Sequence, residues 1–308
     1  SYSLVAEYDG THYDDEYFTI VGNELRTAYV VDYEADSALN IRIMVTDDGI
    51  GTGDPGLRRA TETYTQNFTI TVNNLIDGEV YFSGIIPNNV DFNENSHIVG
   101  DITIPIGINV SFAPGITLWH AENTRYTVRG NVTSGSPDQP LDRVLFTVET
   151  PETYWGGYNY LAGSGSEISN FYYTTFEYAS DNSGADTAVF RVGNYNAQNL
   201  EGCIFRFNNA ESDSGLILLR NTDVMIRNSL AHHNDSVTSI LRLQLGSTLT
   251  VANSNLLYNG YSEDFVMAVT GESDFVMKNS ILWGNETDSD LYVNEGSNVT
   301  IDYCVIEG

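Results

Sequence analysis

Two groups of closely spaced acidic residues near the start of the chain have a spacing that could hold a metal ion. Asp32 and Glu34 flank a tyrosine, and Asp47 and Asp48 precede a glycine. Side chains two residues apart point the same way from an extended backbone, so the carboxylates of Asp32 and Glu34 would face one side. Calcium takes roughly six to eight oxygen ligands, and carboxylates converging from separate loops can supply them. The pattern therefore favours a calcium site.

The segments that must position these carboxylates are short runs of alternating apolar and polar residues within residues 1–76. The clearest runs are 17–20, 39–45 and 68–72, and each is bounded by turn-forming residues. Alternation with a period of two is typical of half-buried antiparallel strands. We therefore predict a small β-sandwich over residues 1–76.

This part of the chain resembles a cadherin repeat in the order and spacing of its motifs. The matching residues are Phe18-x-Ile20-x-Gly22-Asn23-x-Leu25, Asp32-Tyr33-Glu34, Val45-Thr46-Asp47-Asp48-Gly49 and Phe68-x-Ile70-x-Val72-x-Asn74. The resemblance implies that Asp32, Glu34 and Asp47 are Ca²⁺ ligands at a junction between modules. Asn74 and Asp77 lie where linker ligands of the family fall, although the linker pattern is degraded. The first strand of the family and its early glutamate ligand would precede Ser1, so we expect the module to begin part-way through the repeat.

The charge of the chain excludes several classes of partner. Its 42 acidic and 13 basic residues give a net charge of −29. Nucleic acids and anionic membrane surfaces both require clustered Lys and Arg, so neither is an expected partner. No run of apolar residues is long enough to span a membrane, and we expect an extracellular location at the cell surface.

From residue 77 onwards a repeat of 24–26 residues replaces the earlier pattern. Its reference points are Cys203, Ser229, Ser254, Ser280 and Cys304, which are 26, 25, 26 and 24 residues apart. Five residues after the first four of them come asparagines, at Asn208, Asn234, Asn259 and Asn285. A repeat of this length cannot bury its own apolar residues, so successive coils must stack and align equivalent residues in columns. An asparagine column can form a ladder of side-chain hydrogen bonds, and asparagine also tolerates the left-handed backbone of a turn.

Residues 77–308 resemble the right-handed parallel β-helix repeat proteins of bacterial and archaeal surfaces, a pectin-lyase-like solenoid. Further segments that match these proteins are residues 101–105, 112–118, 128–132 and 176–179. The resemblance implies an all-β fold, and that fold hosts lyases, hydrolases, adhesins and inert stalks. Cys203 and Cys304 would share one column about 19 Å apart, which is too far for a disulfide, so both should be free packed thiols.

Residues with catalytic or binding potential in this second part do not form a recognisable enzyme motif. Arg227 and Lys278 share a column and could form a basic strip, but exposed strand positions are the favoured interpretation. His232-His233 is interpreted as a surface turn rather than a catalytic base or metal site. Trp119, Trp155, Tyr154, Tyr158 and Tyr160 are candidates for stacking on sugars, with packing of the loop on the coil as the favoured alternative.

The leading prediction from the sequence is a calcium-stabilised structural or adhesive segment of an extracellular surface protein, without enzymatic activity. Its partners would be neighbouring modules or copies of the same protein, and an unfinished sandwich edge could recruit strands from other copies into a filament. The alternative is a carbohydrate-binding module of a polysaccharide-degrading system, and a polysaccharide lyase ranks third.

Overall fold

The structure, a computed structural model, shows an all-β chain with one short 3₁₀-helix among the described residues. It describes residues 1–8, 10–28, 38–47, 62–71, 80–150, 153–163, 167–180, 188–195, 197–210, 215–236, 239–261, 265–285, 289–294 and 296–307. The chain divides into two compact units, Ser1–Gly78 and Glu79–Gly308. Nothing in the described ranges forms a helix with the length and apolarity needed to cross a membrane.

The first unit is built from antiparallel strands. They are β1 (Tyr2–Leu4), β2 (Glu7–Tyr8), β3 (Thr11–His12), β4 (Phe18–Val21), β5 (Glu24–Thr27), β6 (Ala38–Thr46) and β7 (Thr63–Thr71), and the 3₁₀-helix is Asp15–Tyr17. β6 lies between β1 and β7 in a three-stranded sheet, while β2–β3 and β4–β5 are hairpins. The described residues therefore form the antiparallel strands that the alternating runs predict.

The alternation along β6 fixes which side of its sheet is buried. Leu39 and Ile41 are buried and pack with Phe18, whereas Asn40 between them is exposed. Phe68 on β7 lies opposite Ile41 but is 41% exposed, because β7 pairs with β6 on one side only. The core of this unit is small, and it is anchored by β6.

The second unit is a parallel β-solenoid of about seven turns between residues 96 and 306. Each coil contributes one strand to each of three faces, which we call A, B and C in the order in which the chain visits them. Face A comprises Val90–Phe92, Asn109–Phe112, Asn131–Ser134, Ile168–Tyr172, Ala197–Glu201, Asp223–Arg227, Thr248–Ala252, Asp274–Lys278 and Asn298–Asp302. Face B comprises Thr117–His120, Val144–Val148, Thr174–Glu177, Ile204–Arg206, Leu230–His232, Asn255–Leu257, Ile281–Trp283 and Val305–Ile306. Face C comprises Tyr126–Val128, Tyr158–Tyr160, Phe190–Gly193, Ile217–Arg220, Leu241–Gln244, Phe265–Val269 and Ser289–Val293.

Five further strands complete the solenoid. Ser96–Ile104 pairs with face B through its first residues and with face C through its last, and Val80–Ile85 lies parallel to it. Asn209–Ala210, Asp235–Ser236 and Gly260–Tyr261 form a short ladder between faces B and C. Parallel pairing in register places chemically equivalent residues of successive coils above one another.

The core consists of columns of inward side chains, one from each coil. On face B one such column runs Phe146, Phe176, Phe205, Ala231 and Leu256, all buried. Parallel strands stacked about 4.8 Å apart bring these side chains into contact across coils, which is why a single coil cannot be stable alone. The repeat in the sequence is thus confirmed as a repeat of structure.

A column of hydroxyl groups marks the turn between faces A and B, which we call the A–B turn. The backbone N–H of Cys203 donates to Ser229 Oγ at 3.1 Å, and the same contact joins Ser229 to Ser254 and Ser254 to Ser280. Cys203 begins this column, and both cysteines are free thiols, as the sequence predicts.

The predicted asparagine column forms a buried ladder behind the turn that follows face B. Asn208 Nδ2 donates to Asn234 Oδ1 at 2.8 Å, and Asn234 and Asn259 each donate to the next asparagine at 2.9 Å. Each side chain also donates to a main-chain oxygen of the preceding coil's face B strand, as Asn208 does to Phe176 and Asn234 does to Phe205, both at 3.0 Å. These asparagines are not in the left-handed conformation, which instead occurs at the residue immediately before each of them.

Candidate functional site

Four of the five predicted calcium ligands lie outside the residues that the structure describes. Asp32, Glu34, Asn74 and Asp77 lie outside the described residues, so their convergence stays a prediction. Asp47 follows β6 directly and is exposed, and its backbone N–H donates to the oxygen of Glu62 at 2.9 Å. Within the described ranges, no three His, Cys, Asp or Glu side chains are grouped closely enough to hold a metal ion.

Three of the aromatic residues proposed for sugar stacking are core residues. Trp155, Tyr158 and Tyr160 are each no more than 1% exposed. Their rings pack on other core rings, as when Tyr158 stacks on Tyr126 at 4.4 Å between centroids. The favoured alternative, packing on the coil, is therefore confirmed for these three, and buried rings offer no face to a sugar.

Trp119 points outward from face B and is half-buried. Its ring stacks on His97 at 5.0 Å, and His97 stacks in turn on Tyr81 at 4.9 Å. His97 Nδ1 also contacts Glu149, a carboxylate 54% exposed. This stack occupies the outer column of face B, which continues through later coils as Glu177, Arg206 and His232.

The basic strip predicted from Arg227 and Lys278 is interrupted and neutralised. The two residues do share a column, but Ala252 lies between them. Arg227 lies 3.7 Å from Glu201, and Lys278 lies 3.9 Å from Asp302. An uncompensated cationic surface is therefore not formed at this column.

Four aromatic side chains form a row at the turn after face B, which we call the B–C turn. The row consists of Tyr178, Phe207, His233 and Tyr258, one from each successive coil. Their ring centroids are separated by 5.7, 6.1 and 6.1 Å along the row. Phe207 is 39% exposed and Tyr258 is 56% exposed. The row therefore presents aromatic surface to solvent along the solenoid axis.

Every member of the aromatic row has a left-handed backbone, with φ between 51° and 56°. Bulky residues rarely adopt positive φ, which costs about 1–2 kcal/mol for an L-residue. The A–B turn meets the same requirement with Gly202, Asn228, Asn253 and Asn279 in four successive coils, residue types that tolerate it, and with Tyr173 and Tyr303 in the coils on either side. The aromatic row thus departs from the residue choice that local conformation favours.

Polar groups line the strand side of the aromatic row. Arg206 Nε and Nη2 both lie 2.7 Å from Glu177 Oε2, and Thr147 Oγ1 donates to Glu177 Oε1 at 2.8 Å. The Arg206 guanidinium also lies 5.6 Å from the centroid of the Phe207 ring. The buried Glu177 carboxylate fixes the guanidinium of Arg206, whose side chain is 37% exposed, so a hydrogen-bond donor lies beside the exposed rings.

The two adjacent histidines belong to this site. His232 is half-buried at the end of its face B strand, and His233 is exposed in the B–C turn, as the surface-turn interpretation predicts. Their Nδ1 atoms lie 2.8 Å apart. Desolvation, with the nearby charges of His233 and Arg206, lowers the pKa of His232.

A further histidine, His120, belongs to the core rather than to any surface site. Its Nδ1 lies 2.8 Å from the main-chain oxygen of Thr147, and its Nε2 lies 3.1 Å from the hydroxyl of Tyr126. Burial lowers the pKa of His120 to about 3. It is therefore a neutral, hydrogen-bonded core residue at physiological pH.

The sequence predicted only a surface turn at His233, and its aromatic partners Tyr178, Phe207 and Tyr258 were not predicted as part of a site. A signal was present, because Phe207, His233 and Tyr258 each immediately precede an asparagine of the ladder. The signal was hard to recognise because the residues of the aromatic row share a backbone conformation rather than a residue type.

Comparison with known proteins does not assign the chain to a family. No protein-family model matches it, and no curated protein or solved structure is significantly similar to it. The class of the second unit is therefore defined by its fold alone, as a parallel β-solenoid.

Proposed function

We propose that the chain is an adhesive segment of an extracellular surface protein whose solenoid binds a glycan chain along the aromatic row. The observation that carries this proposal is that Phe207 and Tyr258 hold an unfavourable backbone conformation and still leave 39% and 56% of their surface exposed. Contact with a ligand would account for side chains that local conformation disfavours and the core does not need.

The shape of the aromatic row suits an extended polymer. Its members repeat once per coil, about 4.8 Å apart along the stack of strands, so the row is long, narrow and open. Sugar rings combine apolar C–H faces with hydroxyl groups. Phe207 and Tyr258 would contact the faces, while Arg206 and His232 would form hydrogen bonds with the hydroxyls.

The charge of the chain favours a neutral glycan over a polyanion. A net charge of −29 repels anionic polymers over distances set by ionic strength. Glu177 neutralises Arg206 at the row itself, so no excess positive charge is available there at neutral pH.

Within this proposal the first unit is a cadherin-like sandwich stiffened by Ca²⁺. Asp32, Glu34 and Asp47 would be its principal ligands, with Asn74 and Asp77 in the linker. The antiparallel strands of this unit and the exposed position of Asp47 at the end of β6 support the assignment. Neighbouring modules or copies of the same protein would be its partners.

Glycan-array binding tests the proposal about the solenoid. The variant Phe207→Asn/Tyr258→Asn keeps residues that tolerate positive φ but removes the rings. Two lost aromatic contacts of about 0.5–1.5 kcal/mol each should weaken binding roughly five- to 150-fold. The matched control is Tyr303→Asn, which removes a tyrosine that also has positive φ but lies in the A–B turn, 91% exposed.

The control should bind glycan as the unmodified protein does. If no glycan is bound by the unmodified chain, or if the double variant binds equally well, the aromatic row is not a glycan site.

Thermal unfolding tests the calcium assignment. We expect millimolar Ca²⁺ to raise the melting temperature of the first unit, because the cation relieves repulsion among converging carboxylates in the folded state only. Asp32→Asn should reduce the rise, whereas Asp302→Asn in the solenoid should leave it intact. A melting curve that chelation does not alter would contradict the assignment.

A further inference from the structure

We propose that His232 and His233 form a two-histidine chelate site for a divalent transition-metal cation at the centre of the aromatic row. The main observation in support of this proposal is the 2.8 Å separation of their Nδ1 atoms. Metal–imidazole bonds of about 2.0–2.1 Å at tetrahedral or square-planar angles place two donor nitrogens about 3 Å apart. The pair therefore already holds nearly the spacing that one bound cation requires.

The existing contact between the two rings is a hydrogen bond from one imidazole nitrogen to the other. A hydrogen bond between imidazole nitrogens needs one N–H and one lone pair, so one proton occupies the position between them. A cation that enters would replace this proton, and both side chains would rotate so that their lone pairs converge on it. The ring planes are nearly perpendicular, at 88° with centroids 5.0 Å apart.

The backbone fixes both donors before any metal binds. His232 is held in register between Arg206 and Leu257 on face B. The N–H of His233 donates to the oxygen of Tyr258 at 3.1 Å, and the oxygen of His233 accepts from Phe207 N–H at 3.0 Å. The His233 ring lies between those of Phe207 and Tyr258, at 6.1 Å from each. Preorganised donors lose little conformational freedom on binding.

The chemistry of the pair selects the class of cation. Neutral imidazole is a good ligand for Cu²⁺, Ni²⁺ and Zn²⁺ and a poor one for Ca²⁺ and Mg²⁺. Glu177 neutralises the nearby Arg206, and the net charge of −29 attracts cations to the surface as a whole. The remaining coordination positions would face solvent beside the aromatic row, where water or ligand hydroxyls can occupy them.

Titration of the full chain with Cu²⁺ alone tests this proposal. His232→Leu copies the residue at the same position of the next coil, and His233→Asn copies the residue type that the A–B turn uses at positive φ. His12→Ala removes an exposed histidine of the first unit and serves as the control. Calorimetry gives stoichiometry and affinity, electron paramagnetic resonance gives the number of nitrogen donors, and circular dichroism verifies that each variant is folded.

We expect one Cu²⁺ site with two nitrogen donors in the unmodified chain and in His12→Ala. Loss of even an outer-shell partner weakens metal binding about 10- to 100-fold, so either substitution of the pair should weaken this site at least tenfold. Copper held only by oxygen donors, or an unchanged nitrogen signal in both variants of the pair, would overturn the proposal. Glycan binding in the presence of a chelator is measured separately, so that failure here does not count against the proposed adhesive function.

Discussion

The two turns that border face B meet the same backbone requirement with different residues. The A–B turn holds positive φ mainly with glycine and asparagine, although Tyr173 and Tyr303 also do so. The B–C turn holds it with tyrosine, phenylalanine and histidine in four successive coils and with Gly284 in the next. In both turns the residue with positive φ donates its N–H to a main-chain oxygen of the next coil, Asn228 to Ala252 and His233 to Tyr258. Because the backbone is common to both, the difference lies in what the side chains do. The A–B turn therefore mostly follows local conformational preference, whereas the B–C turn departs from it in four successive coils.

The largest expected effect comes from removing the ladder that supports the B–C turn. Asn234→Ala should lower the free energy of unfolding by about 3–5 kcal/mol, because each buried donor or acceptor left without a partner costs roughly 1–3 kcal/mol. Asn234 is fully buried and contacts Asn208, Asn259 and the oxygen of Phe205. Urea unfolding measures the change.

Asn253→Ala in the A–B turn is the matched control for that substitution. It removes an exposed asparagine with positive φ and should cost only about 1 kcal/mol of backbone strain. Equal losses in the two variants would mean that the B–C ladder contributes no more than a tolerant turn residue does.

Acidification should separate the histidine of the core from those of the B–C turn. The pKa of His120 is about 3 when folded, against an ordinary value of 6.5, so the unfolded chain binds the additional proton between these values. The free energy of unfolding should therefore fall as the pH drops from 6.5 towards 3, by about 4 kcal/mol in all from this residue. Unfolding curves measured across that range give the slope.

His120→Gln should flatten this slope, and His233→Asn should leave most of it in place. If His233→Asn instead removes the greater part of the dependence, the acid-sensitive histidine is in the turn and the core assignment fails.

The smallest expected effect concerns the aromatic rings themselves. Phe207→Asn/Tyr258→Asn should change the free energy of unfolding by no more than about 1 kcal/mol, because relief of strain at positive φ offsets the lost stacking. Urea unfolding and glycan binding are compared on the same preparation. A loss of several kcal/mol would show that the row is a structural stack, and the contrast between the two turns would then carry no functional meaning.

Features that repeat a residue type in every coil could be predicted from the sequence. The hydroxyl column of Ser229, Ser254 and Ser280 and the asparagine ladder recur at a fixed spacing, and stacking converts that spacing directly into contacts. The burial of Leu39 and Ile41 is predictable for a similar reason, because apolar residues two positions apart on a strand point to the same face of the sheet.

Features that depend on the direction of a side chain, or on which residues of successive coils lie next to one another, could not be predicted in the same way. The Tyr154–Tyr160 segment is aromatic and glycine-rich like a binding platform, but its rings at 158 and 160 point inward, and composition does not specify that direction. The aromatic row changes residue type at each step, so only the register of successive coils brings Tyr178, Phe207 and Tyr258 together. Convergence of Asp32, Glu34 and Asp47 likewise depends on tertiary structure.

The asparagine ladder also determines how the solenoid would respond to mechanical tension. Its side-chain hydrogen bonds and the parallel strand pairing both join one coil to the next, so a pulling force along the axis acts on every coil junction in series. A junction that opens would release one coil of roughly 26 residues, about 90 Å of extended chain, while the remaining coils stay closed. A solenoid with this architecture would lengthen in discrete steps under force and would act as an extensible tether.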